Sequence, residues 1–290
     1  IRLSEELGNK RFVPIVILSD INSLIINKLT HYGRILFTKD VYLGKNNQST
    51  IENYISTLTR NKLNTQNFKT DFLNLIEIEK PIDYLSNHTI SNEWSMYRWA
   101  KYLEISAESI KKVTNNVSFM LYFKYLKNLY PIEKLQNFKI ANTIKGNCKI
   151  LYIDDEWDKG WNDILKKLFM KSENDIEYSC IEEKFKDKDV ETILNISENK
   201  INHFNPDVII LDMRLHDTDF KDSVEELSGI KLLKKIKMIN KGIHVIAFTA
   251  SQDSLILENL FNEGIIGYIK KEHPENHLIS TTDNIKKLLK

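Results

Sequence analysis

The sequence has no long hydrophobic run, few cysteines and almost no net charge. Its apolar stretches fall short of the roughly 18 residues that a membrane-spanning helix needs, and its charged first residues do not resemble a secretory signal peptide. Cys148 and Cys180 fit no metal-binding spacing and favour a reducing compartment. We therefore expect a cytoplasmic protein without membrane segments. A start without Met leaves open that the 290 residues are a piece of a longer chain.

Charge is unevenly distributed, although the whole chain carries only +1 at pH 7. Residues 1–145 hold 20 Lys and Arg against 13 Asp and Glu, a net of +7. Residues 146–290 hold 21 against 27, a net of −6. The acidic half could hold a cation, and the basic half could meet an acidic partner. The excess of +7 is too small to argue for nucleic-acid binding by itself.

The second half alternates short apolar strands with helical patterns. Strands are predicted at 148–153, 176–181, 207–212, 243–249 and 265–270. Helices, which carry apolar residues three to four apart, are predicted at 156–170, 189–201, 229–239 and 252–264, with a short last helix at 283–290. Five strands separated by helices predict parallel βαβ units. Right-handed crossovers then place helices on both faces of a doubly wound, five-stranded parallel sheet, which makes this half an α/β domain.

The sequence of the first half predicts two further structural units. Residues 63–145 carry helical, aromatic-rich patterns and predict a helical module that ends in a linker. Residues 1–62 show a strand at 13–20, a helix at 21–33 and a strand at 34–39, which predicts a partial α/β unit. With the α/β domain at 146–290, the chain is expected to have three domains.

A weak internal repeat relates the N-terminal unit to the second half. Residues 243–271 show the same order of strand, helix and strand as residues 13–39. In this alignment Ser19 corresponds to Thr249, Phe37 to Tyr268 and Lys39 to Lys271. Since many strand–helix–strand units look alike, the similarity could also arise without a common origin.

Polar residues stand at the ends of the predicted strands. Asp154 and Asp155 follow the first strand of the second half, Asp212 ends the third, Thr249 ends the fourth and Lys271 lies just past the fifth. Ligands of open α/β sheets bind beyond the carboxyl ends of the strands, so these side chains should converge. Three neighbouring carboxylates repel one another unless a cation is present, and Mg²⁺ prefers such oxygen ligands.

These motifs resemble those of the receiver domain of two-component response regulators. "YIDDE" is similar to the family's acidic pair, "ILDMRL" to the strand that bears the phosphorylated Asp, "AFTAS" to its Thr/Ser-Ala element and "GYIKKE" to the segment with the switch aromatic and the Lys. The resemblance covers residues 146–290, about half of the chain, and implies a flavodoxin-like receiver fold. The N-terminal 60 residues weakly resemble the last portion of a second, degenerate receiver.

The resemblance also implies roles for individual residues. Asp212 would accept a phosphoryl group, with Thr249 and Lys271 contacting that group. Asp154, Asp155, Asp212 and a backbone carbonyl near Arg214 would hold Mg²⁺, and Tyr268 would be the switch aromatic. The implied partner is a histidine kinase or phosphotransfer protein, with homodimerisation through the receiver left open. Such a protein catalyses its own phosphoryl transfer and is not a conventional enzyme.

Each residue also has a simpler interpretation. Asp154 or Asp155 alone could cap the helix predicted from Glu156, and Lys270 competes with Lys271 for the role of the lysine. The domain could be an unphosphorylated scaffold for protein–protein interaction. A faint helix–turn–helix pattern at 98–113 leaves open a DNA-binding regulator. Its apolar and aromatic surroundings favour a packing helix instead.

One segment departs from the family. The stretch "MRLHDTDFKDSVEELS" between Asp212 and Gly229 is longer than the family's loop and lacks its proline. Its acidic residues could cover the site, bind a partner or slow the loss of phosphate. They could also form an ordinary solvated insertion.

Overall fold

The structure is a computed structural model, and it describes residues 1–21, 25, 34–36, 38–45, 47–57, 65–81, 87–131, 147–170, 176–220, 226–249 and 254–271. Two compact units are distinguished: residues 1–83 with 117–132, and residues 84–116 with 133–290. The three predicted domains with boundaries at 62 and 145 remain a prediction. The predicted helix at 283–290 lies outside the described residues.

The second unit contains a five-stranded parallel sheet. Its strands are β3 (Cys148–Ile153), β4 (Ile176–Cys180), β5 (Val208–Leu211), β6 (His244–Thr249) and β7 (Gly267–Lys270). Their order in the sheet is β4-β3-β5-β6-β7. The chain therefore leaves β3 toward β4 and then returns to the other side of β3 with β5. Strand order reverses at this point, and such a reversal opens a crevice at the carboxyl edge of the sheet.

Helices connect these strands as the apolar spacing predicts. They are α5 (Trp161–Met170), α6 (Val190–Phe204), α7 (Ser228–Ile239) and α8 (Ser254–Asn262). The side chain of Asp189 caps α6 by accepting a hydrogen bond from the backbone N–H of Thr192 at 2.7 Å. The α/β fold with a parallel sheet is thus confirmed.

Strand β5, at the centre of the sheet, is buried on both faces, as in a covered parallel sheet. All four residues of β5 are buried, and one apolar cluster joins this strand to the inner faces of α6 and α7. Each buried Ile or Leu contributes on the order of 1.5–3 kcal/mol relative to exposure. This core holds β3 and β5 side by side, so the residues at their carboxyl ends become neighbours.

Two helices that precede the sheet in sequence belong to the same unit. They are α2 (Asn87–Leu103) and the part of α3 (Glu108–Phe119) up to residue 116. The indole Nε1 of Trp161 on α5 donates a hydrogen bond to Asn92 Oδ1 of α2 at 2.6 Å. Ala100, Leu103 and Ile110 of the helix–turn–helix pattern are buried, which agrees with the packing interpretation.

The first unit contains two parallel strands, β1 (Ile15–Leu18) and β2 (Val41–Gly44). Its helices are α1 (Gln48–Thr57) and α4 (Leu121–Leu129), with short helical segments at Glu5–Phe12, Thr65–Asn67 and Lys69–Leu73. A small core of Leu3, Phe68, Phe72 and Leu73 packs among them.

The predicted strand at 34–39 is wrong. Residues 34–36 form a 3-10 turn, residues 38–40 form a further turn, and the strand that pairs with β1 begins at Val41. Asp40 has a positive φ of 60°, which turns the backbone immediately before β2. Lys39 therefore precedes its strand, whereas Lys271 follows β7, so the predicted correspondence of Lys39 with Lys271 is wrong. The helix predicted at 21–33 lies almost entirely outside the described residues.

Among the described residues, no helix is both long enough and apolar enough to span a membrane.

Candidate functional site

Three carboxylates meet at the carboxyl edge of the sheet. Asp154 and Asp155 follow β3, and Asp212 follows β5, its neighbour in the sheet. One oxygen from each of the three lies within 4.8 Å of the others. Asp154 is completely buried and Asp212 is 8% exposed, while Asp155 is half-buried. Because aspartate is rarely buried without a partner, this cluster needs compensating charge.

Lys271 supplies part of that charge. It follows β7, is 6% exposed, and its Nζ lies 2.6 Å from Asp154 Oδ2 and 3.2 Å from Asp212 Oδ2. Burial lowers the pKa of the ammonium, but attraction to Asp154 and Asp212 outweighs burial and raises its pKa above the ordinary value. Lys270, the sequence competitor, precedes it on β7, and the structure brings Lys271 into the carboxylate cluster.

Hydrogen bonds orient the two innermost carboxylates. Asp154 accepts the hydroxyl proton of Tyr152 at Oδ2 and the backbone N–H of Glu156 at Oδ1, the latter at 2.8 Å. Asp212 accepts the backbone N–H of Met213 at Oδ1, also at 2.8 Å. The contact to Glu156 closes a local turn and is not the predicted helix cap, because the short 3-10 segment Trp157–Lys159 has no side-chain cap and the α-helix begins only at Trp161.

The pKa values of Asp155 and Asp212 are strongly raised. Burial, followed by repulsion from Asp212 and Asp154, raises the pKa of Asp155 to about 8. Burial also raises the pKa of Asp212, to about 7, even though the nearby Lys271 ammonium acts in the opposite direction. Without a cation, the site therefore holds protons that solvent-exposed aspartates would release. Such perturbed acids in a crevice are typical of functional sites.

The donor set fits a divalent cation. With all three carboxylates ionised, Lys271 balances one negative charge and leaves two, which a divalent ion would neutralise. Every available ligand atom in the cluster is an oxygen, the preference of Mg²⁺, which is commonly held by one or two carboxylates, phosphate oxygens and waters. The predicted metal residues Asp154, Asp155 and Asp212 are thus brought together.

The other predicted residues lie on β6, on β7 and in the connection after β5. Thr249 ends β6, is buried, and accepts the backbone N–H of Lys271 at its carbonyl oxygen at 3.0 Å. Arg214 lies two residues beyond Asp212 in the connection to α7. Tyr268 lies in the middle of β7 and is 41% exposed, so its ring lies at the surface.

Sequence reasoning missed the contacts of three side chains. Tyr152 was read only as part of an apolar strand, yet its buried hydroxyl contacts Asp154. The ring of Phe248 contacts the Lys271 ammonium, whose Nζ lies over the ring at 5.2 Å from its centroid. Asp219, in the long loop, is 2% exposed and binds backbone N–H groups. The only available signal was a tyrosine two residues before an aspartate in a strand, which brings both side chains to one face.

Comparison with known proteins identifies the fold. Residues 180–283 match the family described as "Response regulator receiver domain". This range begins at the last residue of β4 and includes Asp212, Thr249, Tyr268 and Lys271. Residues 180–283, just over a third of the chain, therefore match a receiver domain of response regulators, as the motifs in this range suggested. No curated protein matches the sequence at a significant level.

Solved structures of low identity align with about half of the chain. NtrX from Brucella abortus is 18% identical, and the alignment covers 49% of this chain and 27% of NtrX, with a TM-score of 0.36. A two-component response regulator from Clostridium difficile is 22% identical (49% and 95%, TM-score 0.35). The non-phosphorylated HemR receiver domain from Leptospira biflexa is 20% identical (49% and 94%, TM-score 0.35).

The structure extends the site beyond the matched range. Asp154 and Asp155 precede residue 180, so they lie outside the part that matches the family. Strand β3 nevertheless pairs with both β4 and β5, and Ile153 lies beside Leu211 in the sheet. The acidic pair therefore completes a site whose other residues lie inside the matched range.

Proposed function

We propose that this protein is a response regulator whose Asp212 accepts a phosphoryl group from a histidine kinase or phosphotransfer protein. The observation that carries the proposal is the joint placement of Asp212, two further carboxylates and Lys271 at the carboxyl edge of one sheet. Sequence and fold together support it, since the receiver family matches the part of the chain that holds the acceptor.

The chain's own residues would divide the chemistry among them. A carboxylate oxygen of Asp212 attacks the phosphorus of the donor, and the bond from phosphorus to the donor's nitrogen or oxygen breaks with its electron pair leaving on the donor. Lys271, 3.2 Å from Asp212, would neutralise charge on the transferring group. The Thr249 hydroxyl would donate a hydrogen bond to a phosphoryl oxygen.

Asp154, Asp155 and Asp212, with the backbone carbonyl of Arg214, would hold Mg²⁺. When bound, the ion would supply charge neutralisation to the phosphoryl oxygens during transfer. Lys271 Nζ, 2.6 Å from Asp154 Oδ2, would hold this carboxylate in place beside the cation. Tyr152 holds the same carboxylate from the interior of the sheet.

Phosphorylation with a small donor tests the proposal. The purified chain is incubated with acetyl phosphate and Mg²⁺, and intact mass is measured. We expect the mass of one added phosphoryl group, its loss when Mg²⁺ is replaced by EDTA, and its absence in Asp212→Asn. Asp207→Asn is a matched control, because this acid precedes the same strand at the opposite end of the sheet.

Two results would contradict the proposal. Wild type without any phosphoryl gain would favour the alternative of a receiver-fold scaffold that acts only through protein–protein contacts. An unchanged gain in Asp212→Asn would place the acceptor elsewhere. The DNA-binding alternative and homodimerisation through the receiver remain predictions.

The proposed output is a change in the contacts of the helical segment at 87–116. Lys271 Nζ lies over the ring of Phe248, whose centroid is 4.9 Å from that of Trp161 in an edge-to-face contact. Trp161 in turn donates to Asn92 of α2. A shift of Lys271 toward a phosphoryl group would therefore change its packing on Phe248 and the packing of Phe248 on Trp161. The hydrogen bond of Trp161 to α2 would then change as well.

Hydrogen exchange tests this output. We expect phosphorylation to change amide protection of residues 87–116, and Trp161→Phe to weaken that change while phosphorylation itself persists. Equal protection in both phosphorylation states would show that the segment does not report on the site.

A further inference from the structure

The long acidic loop after β5 contains a buried carboxylate. Asp219 is 2% exposed, although its loop neighbour Asp217 is exposed. Asp219 Oδ2 accepts the backbone N–H groups of Leu215 at 2.9 Å and of His216 at 3.1 Å. Its Oδ1 accepts the backbone N–H of Ser228 at 3.0 Å. The expectation of a wholly solvated insertion therefore fails at this residue.

Ser228, the first residue of α7, completes the same arrangement. Its hydroxyl donates to Asp219 Oδ2 and accepts the backbone N–H of Leu215 at 2.9 Å. Ser228 is completely buried, so none of these contacts competes with water. The amide of Leu215 is thus bound by two oxygens, one from Asp219 and one from Ser228.

The amide of Leu215 belongs to the same peptide unit as the carbonyl of Arg214. A trans peptide is planar, and its N–H and C=O point in opposite directions. Holding the Leu215 N–H on Asp219 and Ser228 therefore fixes the direction of the Arg214 carbonyl, which points away from these two side chains. This is the carbonyl proposed to bind the cation.

The residues just before this peptide are also fixed. The backbone N–H of Met213 is bound to Asp212, and the carbonyl of Met213 accepts the N–H of Gly229 at 3.2 Å. Gly229 packs so closely that an added Cβ would lie 2.5 Å from the carbonyl oxygen of Asp212. The backbone from Asp212 to Leu215 is consequently held against the start of α7.

We propose that Asp219 and Ser228 are positioning residues, which orient the Arg214 carbonyl toward a divalent cation held by Asp154, Asp155 and Asp212. Neither residue needs to touch the cation. The inference rests on the proposed function, because it assumes that the carboxylate cluster binds Mg²⁺. The loop after β5 would then support the cation site. The sequence did not reveal this role.

Calorimetric titration with Mg²⁺ tests the proposal on the full chain. Asp219→Asn places an amide N–H₂ where one carboxylate oxygen accepted hydrogen bonds, so it loses acceptors for the Leu215 amide or for Ser228. Groups that orient metal ligands commonly contribute about 10- to 100-fold in affinity. We therefore expect Mg²⁺ affinity to fall at least about tenfold. Ser228→Ala, which removes one of two acceptors, should give a smaller loss.

Asp217→Asn is the matched control. It removes the same charge from the same short 3-10 segment, Asp217–Phe220, but from an exposed side chain, so Mg²⁺ affinity should remain within about twofold. Thermal unfolding in EDTA checks that each variant is folded. A positioning role requires weaker Mg²⁺ binding by a folded variant, which a purely structural role would not produce.

The outcomes separate the two proposals. If wild type does not bind Mg²⁺, the proposed metal-dependent function fails. If wild type binds and both Asp219→Asn and Ser228→Ala bind equally well, the positioning role is overturned and the proposed function stands. Equal weakening in Asp217→Asn and Asp219→Asn would attribute the effect to loop charge and also overturn it. Should Asp219→Asn fail to fold, Ser228→Ala decides.

Discussion

The positive charge of Lys271 offsets part of the negative charge of the carboxylate cluster. Its ammonium lies within 3.2 Å of two buried aspartates, Asp154 and Asp212, and removing one partner of a buried ion pair is costly because the other charge remains desolvated. The cost should be greatest without a cation and at a pH where the aspartates would be ionised.

We predict that Lys271→Met lowers the free energy of unfolding by about 3 kcal/mol in EDTA at pH 8. Lys270→Met is the matched control, since it removes the same charge from the adjacent position and Lys270 is only half-buried, and we expect a change of about 0.5 kcal/mol. Urea unfolding provides the measurement. A similar decrease in the free energy of unfolding in both variants would contradict the prediction, because Lys271 would then contribute no more to stability than a surface lysine.

The raised pKa values of Asp155 and Asp212 predict how stability depends on pH. Their folded-state values of about 8 and about 7 exceed the usual 3.9 of an unfolded Asp, so the folded state binds more protons between these limits. Stability must then fall as pH rises from about 4 to about 8 in EDTA. Urea unfolding across this range checks the sign, and a rise would contradict it.

Replacing Asp155 by Asn should remove part of the fall in stability at high pH. One unit of pKa difference corresponds to about 1.4 kcal/mol, so we expect the variant to gain at least about 1 kcal/mol at pH 8 in EDTA. With Mg²⁺ present the sign should reverse, because the variant lacks a ligand. Asp158→Asn, an exposed acid three residues away, controls for the general loss of negative charge.

At the scale of elements, the connection from β5 to α7 is the most constrained part of the site. Gly229 lies near the start of α7, and a Cβ at this position would lie 2.5 Å from both the Asp212 carbonyl oxygen and Met213 Cα. These are backbone atoms, so the clash is relieved only by moving α7 or the end of β5. Glycine is therefore required by close approach.

We predict that Gly229→Ala lowers the free energy of unfolding by about 1–3 kcal/mol, the usual cost of overpacking. Phosphorylation at Asp212 should slow as well, because the acceptor backbone shifts. Gly242→Ala is the control: there the nearest atom to a new Cβ is the side-chain oxygen of Asn240 at 3.1 Å, in an exposed turn. An unaffected Gly229→Ala variant would mean that the contact relaxes easily.

At the scale of the whole molecule, the chain divides into two compact units, and the carboxylate cluster belongs to one of them. A ligand that binds only the folded form of one unit stabilises that unit, by about 2.7 kcal/mol at a concentration 100 times its Kd. The response to a cation should therefore be local.

We predict two transitions in calorimetric unfolding, with Mg²⁺ raising the midpoint of only the unit that contains the sheet. Asp155→Asn should abolish this shift without moving the other transition. A single transition that moves as a whole with Mg²⁺ would show that the two units unfold cooperatively.

Much of the receiver could be predicted from the sequence because its signals are local. Strand β3 was predicted with its observed bounds, and β5 to within one residue at each end, since a run of buried Ile, Val and Leu bounded by polar residues has few alternatives. The N-terminal unit was harder. Its strand at Val41–Gly44 is short, and the apolar residues at 35–37 carried an equally strong strand signal.

The sequence by itself determined which side chains stand at the strand ends: Asp154, Asp155, Asp212, Thr249 and Lys271. It also determined that a parallel sheet would carry their ends to one edge, because the βαβ order leaves little choice. Only the tertiary structure decided the order of the strands, which sets β3 beside β5, and the pairing of Lys271 with Asp154. It alone revealed Asp219 as a buried anchor, since burial and hydrogen bonding across nine residues depend on packing that no local pattern encodes.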